Sequence, residues 1–273
     1  MINFFEIALA SFIKDLRIAR SYPIRFFLML SSIFVQLFIL ILFSNFLSSG
    51  FNINPESPVK DFFGYFLIGL CIIDISNTLI SYTAIQIEEY KKIGVFEELF
   101  AMPIKISKVI FFSNLFPILL SIFKLSIYIS VLTFFSEIKI WTLESLLIFL
   151  FTVSLSILFF LSISLLASAM SILFYRGSWI AVGHNVIAIV FGGVFYPSEY
   201  IINDQNLLKY LVPVQNILDV LRNIFSVNNQ DPIVIYNSLV ILFFQGFLLF
   251  FICYYILVFS IKRAQSDGSI SSY

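Results

Sequence analysis

A single histidine, two cysteines and a charged fraction of 12% set the first limits on this 273-residue chain. One histidine, with no cluster of His, Cys and carboxylates in any polar segment, argues against a metal site and a histidine-based catalytic triad. Cys71 and Cys253 both sit inside apolar runs, where a thiol behaves as a small hydrophobe rather than half of a disulfide. No Gly-x-x-x-x-Gly-Lys-Ser/Thr loop occurs, so nucleotide binding by that device is excluded. A nucleophile elbow and a His-Glu-x-x-His motif are missing too, so the sequence offers no catalytic residue. The formal net charge is zero, which leaves no electrostatic footprint for nucleic acid. No cleavable leader pattern precedes the first apolar run.

What the chain has is apolar length. Hydrophobic residues make up 60%, phenylalanine alone numbers 35, and mean hydropathy is +1.01. A soluble domain is about 45–50% apolar and about 25% charged, so this is an all-α integral membrane protein. A spanning helix needs about 20 mostly apolar residues. Six runs qualify: Phe26–Leu47, Phe62–Ile85, Val109–Phe135, Leu146–Leu173, Trp179–Phe195 and Val234–Ser260. The fifth is the shortest. It contains Gly183, His184, Asn185 and the pair Gly192-Gly193, and is expected to thin or break near its far end.

Lysine and arginine set the orientation. With the N-terminal side inside, the inner segments hold Lys14, Arg17, Arg20, Arg25, Lys91, Lys92, Lys105, Lys108, Arg176, Lys262 and Arg263. The outer segments hold Lys60, Lys139, Lys209 and Arg222, and Lys124 lies within the third run. Both termini are therefore expected in the cytoplasm, which agrees with an even number of spans.

The lead from Ile2 to Arg20 places Phe5, Leu9, Phe12, Ile13 and Leu16 on one helical face, opposite Glu6, Lys14 and Arg17. That is the pattern of a helix lying in the membrane interface, or of a basic flank before a first span. Pro23 then allows a turn into the bilayer. On the outer side, Leu207–Phe225 has helical apolar spacing interrupted by Pro213, giving short pieces expected to dip into the outer leaflet or to pack over the fifth run.

Asp74 and Lys124 are ionisable residues inside apolar runs, where charge costs about 2.5–3.5 kcal/mol and turns toward protein. Asp74 lies twelve residues from Phe62 and Lys124 eleven from Phe135, so both sit about 17–18 Å below the outer boundary. They form a buried pair or, with His184, line a path or proton relay. The relay reading would make the chain an ATP-independent secondary transporter.

Between the second and third runs stands Gly94-Val95-Phe96-Glu97-Glu98-Leu99-Phe100-Ala101-Met102-Pro103-Ile104, preceded by Glu88-Glu89. It is a short amphipathic helix with adjacent carboxylates, closed by a proline. The segment resembles the cytoplasmic loop of permease subunits of type-2 ATP-binding-cassette (ABC) exporters, which typically reads Gly-Thr-Leu-Glu-x-Leu-Leu-x-Thr-Pro. Gly94, Glu97, Leu99 and Pro103 match; Val95, Phe96, Phe100 and Met102 depart. Three further stretches are similar in order and spacing: the amphipathic lead, and Gly192-Gly193-Val194-Phe195-Tyr196-Pro197 with the later Leu211-Val212-Pro213 and Asp219–Arg222. The third is the tail from Arg263 through Asp267-Gly268-Ser269-Ile270 to Tyr273, which resembles a signature of one bacterial subgroup.

The resemblance implies one permease domain over residues 1–273. It would have an elbow helix at 1–22, a six-helix membrane domain at 26–260 and a cytoplasmic tail at 261–273. It implies a bacterial cell-membrane location, a second permease as partner (the same chain or another), and a cytoplasmic ABC ATPase that alone binds ATP and Mg. The expected ATPase contact is a coupling helix with Gly94, Phe96, Glu97, Glu98, Leu99, Phe100, Met102 and Pro103. Gly192, Gly193, Pro197 and Pro213 would mark the re-entrant outer region. The short outer loops favour an amphiphilic or lipid-like substrate or drug.

Overall fold

The computed structural model describes residues 4–50, 62–135, 142–174, 176–196, 210–225 and 232–266. Ten helices and no strand occur among them: α1 (Phe4–Ser21), α2 (Pro23–Gly50), α3 (Phe62–Lys92), α4 (Val95–Ala101), α5 (Ile106–Ser113), α6 (Leu115–Phe135), α7 (Leu143–Phe174), α8 (Trp179–Phe191), α9 (Pro213–Phe225) and α10 (Pro232–Ser266). Proline opens α2, α9 and α10, the position where its missing N–H costs no hydrogen bond.

Four stretches are long and apolar enough to cross a membrane: Phe63–Lys92, Ile106–Phe135, Leu143–Phe174 and Pro232–Ser266. Ser31–Leu42 within α2 and Trp179–Phe191 are shorter apolar helices. The second of the four joins α5 and α6 across a break at Asn114. Pro117 has no N–H for the Ser113 carbonyl, and its ring crowds that carbonyl, so the helix bends there. Asn114 fills the gap: its Oδ1 accepts from Thr83 (2.8 Å) and Ser164 (2.7 Å), and its Nδ2 donates to Ile110 (3.0 Å).

α7 is the central mast, packed mainly by α10 and α3. Ser162, Ser164, Ala167, Ser168, Ala169 and Ser171 are all buried on it, and such small residues let neighbouring backbones approach closely. α3 and α10 run beyond the expected apolar limits. α3 continues seven residues past Ile85, carrying Glu88, Glu89 and Lys91 into the region that leads to α4. α8 is shorter than the expected Trp179–Phe195 run: it stops at Phe191, so its 13 helical residues fall short of a full crossing. Pro197, the segment 198–209 and the tail motif at 267–273 lie outside the described residues.

Candidate functional site

α4 hangs from the end of α3 through Gly94, whose φ of 77° turns the chain sharply. Its faces are unlike. Phe96 is 1% exposed and enters a cluster with Ile87, Ile106, Ile110, Leu165, Ile172 and Leu257. Phe100 packs edge-on to it at 5.3 Å between centroids, and Leu99 is half-buried. Glu97, Glu98, Met102 and Pro103 are exposed, as is Ile93 just before the turn. This corrects the expectation that Phe96 is offered to a partner. It is the anchor that fastens α4 to the membrane helices, because a phenylalanine on the inner face of so short a helix is withdrawn from water. The outward surface is carried by the two carboxylates, Met102 and Ile93.

The structure brings Asp74 and Lys124 together. Lys124 Nζ donates to Asp74 Oδ1 at 3.0 Å and to Thr78 Oγ1 at 2.9 Å. The Tyr128 hydroxyl lies 3.3 Å from Asp74 Oδ2 and 3.1 Å from the Gln36 amide oxygen. Both charges are buried, with side chains 9% and 3% exposed, so α2, α3 and α6 meet around a hydrogen-bonded ion pair. His184 belongs to a different neighbourhood. Its ring sits against Phe159 and Phe160, and Nδ1 is 3.4 Å from Asn185 Oδ1. Asn185 Oδ1 also accepts from Ser76 at 2.7 Å, tying α8 to the middle of α3.

Beyond α8 the chain turns through Gly192 and Gly193, the latter with φ 70°, a left-handed conformation that glycine adopts without strain. The freed carbonyls are held by Arg222 of α9, which donates to Gly193 and Val194, both at 2.8 Å, while its guanidinium lies 3.4 Å from the Tyr65 ring centroid. The Tyr65 hydroxyl adds a third bond, to the Gly193 carbonyl at 3.1 Å. Pro213 opens α9, whose Val214, Ile217, Leu218, Leu221 and Ile224 are buried, the helix packing mainly on α10, α7 and α3.

A family model described as ABC-2 type transporter matches residues 7–226, from the first turn of α1 to the end of α9. The chain belongs to the ABC-2 type transporter family. It is a multi-pass membrane transport subunit of the permease kind, and an ABC-2 membrane domain implies association with an ABC ATPase subunit. No curated protein matches the chain.

Several polar residues of this ABC-2 permease were not singled out by its sequence. Asp15 of α1 is fully buried and its Oδ1 accepts from Gln86 Nε2 of α3 at 2.7 Å. Lys14 bridges the same pair, 3.2 Å from Asp15 Oδ1 and 3.3 Å from Gln86 Oε1. Burial holds the Asp15 carboxyl above the usual carboxylate range, against the smaller opposing pull of Lys14. Asn114 and Tyr128 carry no such mark either, and Arg222 stands in the sequence as an outer charge at the end of the Asp219–Arg222 stretch, with nothing to name its partners. The apolar face read from the sequence leaves Phe5, Leu9, Ile13 and Leu16 exposed, whereas Ile7, Ser11 and Asp15 form the buried face of α1; no local signal names a hydrogen-bond partner on another helix.

Proposed function

We propose that this chain is the membrane half of an ATP-driven exporter, and that α4 is the element on which the ATPase acts. The observation that carries the reading is the two-sidedness of α4. Phe96 roots it among α5, α7 and α10, while Glu97, Glu98 and Met102 face away, free to meet basic and apolar groups of a partner. The ATPase supplies ATP and Mg binding. A second permease completes the path, along a surface drawn from α2, α3 and α8. The exposed Val182, Val186 and Ile187 of α8, interrupted by Gly183 and the half-buried Asn185, suit an amphiphile or lipid-like compound moving outward across a bacterial plasma membrane. An Asp74–Lys124–His184 ion relay is the weaker reading, because His184 packs with Asn185 and two phenylalanines while the charged pair is bonded to Thr78 and Tyr128.

Replacing Glu97 and Glu98 together by lysine tests the assignment. Membrane insertion is expected to survive, because both side chains are exposed. Affinity for the ATPase is expected to fall at least about tenfold through charge reversal at a docking rim. Efflux of a fluorescent phospholipid analogue or an amphiphilic dye from cells should fall with it. Unchanged ATPase binding by the double variant would remove α4 from the coupling role.

A further inference from the structure

The last turn of α3 presents two opposite charges three residues apart, Glu88 and Lys91, and both grip the corner between α7 and α8. The backbone N–H of Ser178 donates to Glu88 Oε1 at 2.9 Å, and its hydroxyl to Oε2 at 3.2 Å. The Ser171 hydroxyl of α7 donates to Oε1 at 3.2 Å. Ser178 immediately precedes α8 and caps it with no side-chain bond of its own. Glu88 therefore serves as the cap from another helix, a carboxylate set against the positive end of α8. Lys91 does the converse. It is buried and donates to the Ile172 carbonyl in the last turn of α7, where a cation meets the negative end of a helix.

The corner itself is folded tightly on α7. A Cβ on Gly177 would stand 1.9 Å from the Ala167 carbonyl oxygen and 2.4 Å from the Ser171 nitrogen, so only glycine fits. α4 begins three residues after α3 ends. Lys91 also lies over the Phe96 ring, 5.6 Å from its centroid, so one side chain touches both α4 and α7. Farther out, Ser76–Asn185 and Tyr65–Gly193 tie the rest of α8 and its far end to α3.

We infer that Glu88 and Lys91 form a double latch that makes the α7–α8 corner move with α4. A displacement imposed on the coupling helix then reaches the start of α8 directly, rather than being absorbed in the turns between helices. Glu88 and Lys91 are positioning residues in this scheme: they touch neither nucleotide nor substrate. The inference rests on the coupling role proposed for α4, and the two fail in different ways.

The test uses the full chain with its ATPase in lipid nanodiscs, with Cys71 and Cys253 replaced by alanine. Spin labels are placed at the exposed positions Glu98→Cys and Trp179→Cys. The distance between them should be the same in the ADP-bound and vanadate-trapped states. In Glu88→Ala the detached corner should become about fivefold more populated, the effect of losing one helix cap, and the distance should then shift with nucleotide. Glu88→Gln, which keeps an acceptor but not the charge, should fall between, and it serves if the alanine variant folds poorly. Lys91→Met should also free the corner. A wild-type distance that changes on trapping overturns the latch. So does a distance that stays fixed in Glu88→Gln and Lys91→Met, since a residue that only stabilised the fold would lower the melting temperature without making the distance depend on nucleotide. If no ATPase binds the wild-type chain, the coupling reading falls. Broadening in the Glu88 variants without ATPase would still measure the latch.

Discussion

At the scale of single residues, the Asp74–Lys124 pair illustrates how enclosed charge behaves. Removing one partner leaves the other desolvated and uncompensated, which costs about 3–5 kcal/mol, whereas removing both charges is far less damaging. Asp74→Asn and Lys124→Gln are each expected to lower folded yield and melting temperature in detergent. The double variant should recover part of the loss; a double variant no better than the worse single one would mean that the pair does not act as a unit. The common depth of these residues was readable from their distances to the ends of their runs. That Thr78 and Tyr128 complete the cluster was not, because hydropathy says how deep a residue lies but little about how its helix is rotated. Asp15 gives a second prediction. Its pKa is raised by burial, so the folded chain holds the proton more tightly than the unfolded one. The contribution of this site is greatest below the ordinary carboxylate pKa, declines as pH rises toward the raised value, and stays at its lower level above it. Asp15→Asn keeps an acceptor for Gln86 and should flatten that part of the pH–stability curve, measured by thermal unfolding from acidic to neutral pH.

At the scale of elements, charges and a proline mark α4 in the sequence, yet nothing there shows that Phe96 turns inward while Leu99 and Phe100 are only half-buried. Phe96, Leu99 and Phe100 are apolar at helical spacing, and spacing alone does not say whether such a face meets a partner or the chain's own helices. Phe96 decides it by being buried among α5, α7 and α10. Phe96→Ala should therefore cost about 3–5 kcal/mol, the range for emptying a buried aromatic site. It should loosen α4 and raise amide exchange there, even though the substituted residue lies beneath the proposed docking surface. Exchange in α4 no faster than in the parent would place the anchor elsewhere. α8 shows the complementary limit. The apolar run continued through Phe195, but Gly192 and Gly193 end the helix four residues earlier, and Arg222, distant in sequence, satisfies the carbonyls released there. The glycines were visible as a weak point; the arginine that makes the break tenable was not.

At the scale of the whole molecule, the reading depends on which side of the membrane α4 occupies, and that is a question of charge distribution rather than packing. If all six apolar runs cross, eleven of the sixteen lysines and arginines would fall on the side of the N-terminus, near the ends of those runs, where the positive-inside bias operates. The helical geometry is compatible with either orientation, because no hydrogen bond or buried contact distinguishes cytoplasm from exterior. Accessibility does. Glu98 is exposed on α4, so Glu98→Cys should react with a membrane-impermeant maleimide in inverted vesicles and not in intact cells. Adding the ATPase should then slow that reaction, while a cysteine at exposed Phe134, near the opposite end of the α5–α6 span, should be unaffected by it. Labelling of Glu98→Cys in intact cells would put α4 outside, beyond the reach of any cytoplasmic ATPase, and would undo the coupling assignment whatever the contacts of Phe96. Labelling from the inner side, with protection confined to the Glu98 site, joins the charge asymmetry of the chain to the face of α4 that its own helices leave uncovered.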